Sequence, residues 1–588
     1  MKKFFRGLNK NILLYCMRLS WRASKKYTFL RFFLKVFSPV LTLASTLIAK
    51  MIINTITSIK FEVNIILILL IQMIIKMLCD FLLYFQNYIS IVHDECLKNK
   101  INIDVMHIGT SVGIQYFDDP EFYNSIQRVQ NDSNSIINVI GNFFDIINYL
   151  FSFFISIRFV LNINWIYLLL LLLTAIPSSI YNKVLSKKIY DLNLQQTNKE
   201  RERAYLYSIT LDKNVSEDIR FYNFGKIIIS KYFHISNNIF KEKKLNYKKR
   251  TAIIPLLDTL VYFNMSILLY SIICDIYKGT LTIGDYILYS NLIEQLVNCV
   301  YHISSSYIQI YDGKNKIKNI KKFFERKYNY KVDGNIEVKK FLSLEFKNVS
   351  FKYPNCEKYI LKNMNFIIKR KEKVALIGLN GAGKTTIIKL ILGFYDVDEG
   401  EILINGFNIK RIKYQSLLNL FSMCFQKNMI YGFSMKDNIQ LFAKNNNVLL
   451  SNALDKSGVD IIVSGLKDGI DTLITKKFSS NGIELSLGQC QKIGLARMLF
   501  RFKEVFIMDE PTASLDPESE NDFFSYIDNM KDKTIIFISH RLSNLSVANK
   551  IFIIEDGKVL ESGTHNYLIS NSSRYKEIYM SQAERYIK

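Results

Sequence analysis

Long apolar runs crowd the first half of the chain and are absent from the second. Six segments, residues 29–53, 63–84, 136–160, 165–181, 253–277 and 286–308, each approach the ~20 mostly apolar residues that carry a helix across a bilayer. The fourth, with its run of leucines, is the most apolar; the last two carry the most polar positions. The connections set the topology. Those after the first, third and fifth segments are short, whereas those after the second and fourth are long and basic, residues 182–250 alone holding sixteen Lys and Arg. Basic connections stay on the cytoplasmic side, so six spans with both termini inside are expected. The two long inner stretches lack Pro and Gly punctuation and read as helices continuing beyond the membrane.

Beyond residue 340 the period changes. Short β-rich runs such as LEFKNVSFKY and KVALIG alternate with helical patterns, the signature of an α/β domain. The predicted organisation is therefore multidomain: a six-helix all-α transmembrane domain over residues 1–312, a polar linker over 313–341, and an α/β domain over 342–588, which the motifs described below mark as an α/β P-loop nucleotide-binding domain. A chain of 588 residues is long enough for this, since single domains hold roughly 50 to 250 residues.

Charge and cysteines refine the picture without changing it. The net charge of +25 could serve nucleic acid, but residues 1–60 contain no acidic residue while eight Lys and Arg precede the first apolar stretch, which is the pattern of a cytoplasmic N-terminus. Six apolar spans exclude a soluble nucleic-acid enzyme, and no nucleic-acid partner is expected. The first apolar run carries Arg31 and Lys35 and has no small-residue cleavage site, so it reads as a span that is kept. The eight cysteines are scattered, without metal-ligand spacing, and read as reduced. Within the spans, Lys76 and Asp80 sit at i and i+4 and can pair on one helix face. Asp145, Asp258 and Glu294 have no such neighbour, which leaves two readings: lining a polar cavity or pairing between helices.

Candidate chemistry lies in the second half. The sequence GLNGAGKT places GxxxxGKT at residues 378–385, after an apolar strand and before a helical pattern. Backbone N–H groups around Gly378, Asn380, Gly381 and Gly383 can close on phosphate oxygens, Lys384 can reach the β and γ phosphates, and the hydroxyl of Thr385 can ligate Mg²⁺, with Thr386 following in the same turn. In VFIMDE an apolar strand ends in two carboxylates: Asp509 suits the Mg²⁺ side, and Glu510 suits a general base for the attacking water. Between the two sites lies LSLGQ, opening a helical pattern.

With these motifs in order, the chain resembles the ATP-binding cassette transporters of exporter type, LSLGQ resembling the LSGGQ signature ahead of DEPTASLD. The resemblance implies ATP and Mg²⁺ as cofactors and further roles by position. Tyr353 in FKYP matches the aromatic that stacks on adenine. Gln426 in CFQ matches a glutamine that touches Mg²⁺ and the attacking water. Ser486, Gly488 and Gln489 match signature positions that cap the γ-phosphate from the opposite subunit, and Asp516 matches a loop crossing between subunits. His540 in FISHRLS matches the switch histidine near the γ-phosphate. Residues 117–132 and 216–225 resemble inner-loop segments that dock on cassettes, and KGTLTIGD resembles the link before the sixth span. The signature departs from the family at Leu487 and Cys490, and Ser480 stands where many exporters have a glutamate.

The resemblance further implies a half-transporter that needs a second half, two copies of this chain being favoured over a mixed pair. It would sit in the bacterial cell membrane, a lipid bilayer, with the ATP-binding domain cytoplasmic. The expected activity is ATP-driven export by alternating access, of a peptide or another amphipathic small molecule; alternatives are lipid or glycolipid flipping, drug efflux, or ATP-gated regulation without transport.

Overall fold

The computed structural model describes residues 10–57, 64–161, 165–326, 334–476, 479–539, 541–572 and 574–580. The chain divides into two compact units, one of Met1–Thr110 with Asn124–Arg326, the other of Ser111–Tyr123 with Lys327–Lys588.

The first unit is helical. Each of the six predicted spans falls within a long helix, and five of these, Lys25–Thr57, Ile65–Ser111, Pro120–Val160, Leu169–Asn193 and Gly225–Tyr277, are long and apolar enough to cross a bilayer. The helix through the sixth span, Ile283–Glu325, is more polar and falls outside that group. It sits at the unit's core instead: Leu288, Leu292, Ile293 and Leu296 pack, almost wholly buried, on Val160, Leu171, Val261, Leu268 and Ile272. A central helix turns little of its surface to lipid, so its sequence does not need a uniformly apolar face. KGTLTIGD supplies its start. The Oγ1 of Thr282 accepts from the N–H of Asp285 while that carboxylate accepts from the N–H of Thr282, and Asp285 also pairs with Lys50 at 2.5 Å. The same helix runs on to Glu325, so residues 313–325 of the expected linker are helical, with Ile317, Ile320 and Phe323 buried along one face.

Charges within the helical unit mostly meet partners on other helices. Asp145 pairs with Lys35 at 2.7 Å, and Asp258 accepts from Ser178 at 2.8 Å and Tyr301 at 2.7 Å. For these two acids the structure selects pairing between helices. Buried Arg31 binds Asp94 at 2.7 Å and His93 at 3.1 Å, and His93 also bonds to Ser20 and Thr28, tying the Lys10–Ala23 helix to its neighbours. Glu294 stays exposed. Lys76 and Asp80 are exposed as well, and the ion pairs among the described residues do not join them.

The second unit holds two sheets. Strands β1 (Ser343–Phe351), β2 (Leu361–Lys369), β4 (Glu399–Ile404) and β5 (Phe407–Asn408) pair antiparallel in the order β2-β1-β4-β5. A larger sheet runs β10-β9-β3-β8-β7-β6, made of β3 (Lys373–Ile377), β6 (Phe421–Cys424), β7 (Val505–Asp509), β8 (Thr534–Ile538), β9 (Lys550–Glu555) and β10 (Lys558–Gly563). All of its pairings are parallel except β9 with β10. Strands β3, β7 and β8 are buried along their whole length, which is why they read as unbroken apolar runs rather than alternating ones. Residues 111–123 belong with this unit: Phe122 is fully buried and the Tyr395 hydroxyl donates to Asp118.

Candidate functional site

Parallel strands leave their carboxyl ends on one edge of a sheet, where successive loops converge. Here Leu376 of β3 and Asp509 of β7 both stand level with Ile538 of β8, and Cys424 of β6 stands level with Met508. One edge thus gathers four loops: the 378–385 loop after β3, residues 539–541 after β8, Glu510 after β7, and Gln426 just beyond β6. The phosphate loop, Gln426 and the Asp509–Glu510 pair, far apart in the sequence, meet there. His540 lies outside the described residues.

The loop after β3 turns through left-handed Gly378, Gly381 and Gly383 into the Lys384–Ile391 helix. Asn380 is exposed on it. Lys384 is buried, and its ammonium donates to the carbonyls of Gly378 at 2.7 Å and Leu379 at 3.0 Å, so it is held over the loop it would share with an anion. Burial pulls its pKa down, opposed by the charges of Glu510 and Asp509.

Asp509 is 3% exposed and its Oδ1 has no hydrogen-bond partner among the described residues. Burial raises its pKa, the hydroxyl of Thr385 and the ammonium of Lys384 working the other way. An unpartnered buried carboxylate oxygen costs free energy that a cation would recover. With the Thr385 hydroxyl beside it and Gln426 on the same edge, the donor set suits Mg²⁺, which takes few protein oxygens and draws the rest from phosphate and water. Among the described residues no group of three or more His, Cys, Asp and Glu could hold a metal by itself.

Glu510 accepts from the side-chain amide of Gln426 at 3.2 Å and sits at φ 49°, a left-handed conformation that a non-glycine residue adopts at a cost of roughly 1–3 kcal/mol. Gln491 fixes that backbone. It is buried in the Leu487–Arg501 helix, donates to the carbonyl of Glu510 at 3.0 Å and accepts from the N–H of Ser514 at 2.7 Å. Sequence reasoning passed over Gln491, although its place five residues after Ser486 and one turn into the helix marks it as facing the strand. It also passed over buried Glu520, whose carboxylate gathers Thr512 at 2.7 Å, Asn544 at 2.6 Å and Arg541, bracing the segments after β7 and β8.

Tyr353 reaches the same region from the loop after β1. Its hydroxyl lies 3.2 Å from the Thr386 hydroxyl and accepts from Lys389 at 3.3 Å, while its ring meets Tyr395 edge to face at 5.2 Å. The signature behaves differently. Ser486 caps its own helix in reciprocal bonds with Gln489, at 2.9 Å and 3.3 Å, and Leu487 is 80% exposed. Gly488 lies against the loop after β7, where an added Cβ would stand 2.9 Å from the carbonyl of Ser514. Asp516 caps the Pro517–Asn529 helix through the N–H of Ser519 at 2.8 Å, which holds its carboxyl below the usual range.

A phosphate loop, a buried carboxylate beside it and a glutamate held by Gln426 on one sheet edge, in a chain whose other unit is built of apolar helices, define a P-loop ATPase joined to a membrane domain. Comparison with known proteins agrees. Residues 361–513 match the ABC transporter family. The subtilin transport ATP-binding protein of Bacillus subtilis is 30% identical over 503 residues, 83% of this chain and 80% of that protein. The nisin transport ATP-binding protein of Lactococcus lactis subsp. lactis is 27% identical over 520 residues, 84% of each. In fold the chain matches a bacterial Atm1-family ABC exporter with ATP bound, at a TM-score of 0.80 and 18% identity, over 95% of this chain and 99% of that one. The chain belongs to the ABC transporter family: it is a membrane-embedded exporter that hydrolyses ATP to drive transport.

Proposed function

We propose that this chain is half of a dimeric peptide exporter in a bacterial cell membrane, with its ATP-binding domain in the cytoplasm and two copies of the chain as the favoured pair. The observation that carries the dimer is the division of the site. The edge around Lys384, Asp509 and Glu510 has a phosphate cradle and a carboxylate suited to a metal, whereas Ser486 and Gln489 cap their own helix around Gly488 and present Leu487 outward. In this reading the signature of each copy closes on the other's phosphate loop. ATP lies with its adenine on the Tyr353 ring and its phosphates in the 378–385 loop under Lys384. Thr385, Asp509 and Gln426 would hold Mg²⁺, which would supply neutralisation of phosphate charge. Glu510 takes a proton from the attacking water, and His540 steadies the γ-phosphate.

Peptide cargo is favoured because the relatives matched over most of this chain include two peptide exporters, those for subtilin and nisin. The alternative of lipid flipping has support in a lipid A-core flippase of Photorhabdus laumondii, 27% identical over 466 residues and 78% of each chain. Inverted membrane vesicles carrying the chain decide between them. ATP-dependent, vanadate-sensitive uptake of a fluorescent amphipathic peptide, with no change in the sidedness of a fluorescent lipid, supports the peptide reading; the reverse pattern overturns it.

A further inference from the structure

The helical unit holds one polar cavity that the nucleotide chemistry leaves unused. It has a volume of about 850 Å³, within the range that holds small organic ligands, and is lined by the inner parts of helices Pro120–Val160, Trp165–Gln195, Thr197–Leu211, Gly225–Tyr277 and Ile283–Glu325. Its walls carry five asparagines and a glutamine, side chains that both donate to and accept from peptide groups.

The charges in it are unevenly settled. Lys316 pairs with Asp132 at 3.5 Å, and Lys243 with Glu200 at 3.3 Å. Asp312 is half-buried and feels the charge of Lys316, but its buried Oδ1 accepts no hydrogen bond among the described residues. Arg128 and Arg201, both exposed, stand on the same lining. Elsewhere in this unit the acids Asp94, Asp145, Asp258 and Asp285 all have partners, so an unpartnered carboxylate facing an amide-lined cavity stands apart. A buried carboxylate without a donor is costly, and a cationic ligand removes that cost.

Asp312 lies four residues beyond the sixth predicted span, at the end of the bundle expected to face the cytoplasm. We infer that this cavity is an entry subsite that takes a polar peptide segment and seats its lysine or arginine side chain, or its terminal ammonium, on Asp312, with the amides holding the backbone and the two arginines admitting acidic neighbours. This rests on the reading of the cargo as a peptide and adds which part of it is recognised. A free metal ion fits less well, because Asp132 and Glu200 are already engaged by lysines and one carboxylate is left to ligate it.

The test uses the full chain in lipid nanodiscs and two fluorescent dodecapeptides, both rich in asparagine and serine, one with a central lysine and the other with glutamine in its place. Fluorescence anisotropy on the intact chain should show the lysine peptide binding about tenfold tighter than its twin, as a hydrogen bond to a charged group warrants. Asp312→Asn should erase that ratio while leaving the glutamine peptide's binding in place, which also shows that the variant is folded. Equal binding of the two peptides to the native chain, or a ratio that survives the substitution, overturns the inference and leaves the peptide reading standing. Binding of neither peptide overturns the peptide reading itself, and this inference with it.

Discussion

The spans of the helical unit and the nucleotide edge of the second unit treat charge in opposite ways. In the helical unit, Arg31 meets Asp94, Lys35 meets Asp145, Lys50 meets Asp285, and Asp258 is held by two hydroxyls, each partner standing on another helix. On the nucleotide edge, Asp509 keeps an oxygen with no donor among the described residues, and Glu510 is held in an unfavourable backbone conformation. A paired charge joins elements of the fold; an unpaired one is kept for something that arrives. Pairing in the first unit thus positions helices, and the oxygens of Asp509 and Asp312 that accept no hydrogen bond among the described residues are the ones proposed to receive ligands.

The sharpest way to break this contrast is to neutralise one carboxylate of each kind. Asp509→Asn should cut ATP turnover by about 100-fold or more, since a metal ligand that stabilises the transition state is lost. Its Tm should hold or rise, because an unfavourable buried charge has gone. Asp145→Asn, by contrast, should leave turnover within a few-fold and lower stability. A large drop in turnover for Asp145→Asn, or none for Asp509→Asn, breaks the contrast.

Next in size is Gln491→Ala. Glu510, the proposed general base, keeps its own chemistry but loses the amide that fixes its carbonyl, so turnover should fall about tenfold with ATP affinity within about twofold, a 1.4 kcal/mol effect confined to the chemical step. Equal losses in kcat and in ATP binding would show that Gln491 only supports the domain. Gln491→Glu, which retains an acceptor for Ser514 but loses the donor to Glu510, should resemble Gln491→Ala.

Smaller still is Asp258→Asn. It weakens two bonds between helices, from Ser178 and Tyr301, and should cost about 1–3 kcal/mol of stability in detergent denaturation, with turnover close to native. An unchanged unfolding midpoint would remove Asp258 from the group of helix-joining residues.

The mildest effect is on pH. Burial raises the pKa of Asp509, so the folded protein holds a proton there at a pH where the unfolded chain has released it. The sign follows: the charged carboxylate detracts from stability above its raised pKa, and that cost disappears as pH falls through it. Metal binding needs the charged form, so the Mg²⁺ concentration for half-maximal ATPase should rise as pH is lowered from neutrality toward the carboxylate range, sooner than for an ordinary aspartate. Wild-type titrations at fixed ATP check this; a requirement independent of pH in that window contradicts it.

Much of this was legible in the sequence, for definite reasons. Strand β3 and its loop could be read because a fully buried parallel strand is an unbroken apolar run, and the loop that follows needs glycine at fixed positions. The helices of the first unit could be read from length and apolarity. What escaped was amphipathic. Residues 313–325 look like a basic linker, yet Ile317, Ile320 and Phe323 at three-residue spacing already describe a buried helical face. The Lys10–Ala23 helix hides in a basic flank in the same way, with Ile12, Cys16 and Leu19 buried. The i, i+4 spacing of Lys76 and Asp80 suggested a pair, but both side chains are exposed, where such a contact gains little. The partner of Asp145 stands 110 residues away, a relation that only the packing of helices reveals.

The central claim is that Glu510, held beside Gln426 at the end of β7, performs the hydrolysis in an engine built from copies of this chain alone. Its most direct test is the ATPase rate of the purified chain in lipid, native beside Glu510→Gln. The account predicts turnover by the native protein without any added subunit and a loss of about 10²-fold or more in the variant, as removal of a general base entails. Native turnover that survives the substitution would contradict the assignment of the base, and a pure native chain with no turnover would contradict self-sufficiency.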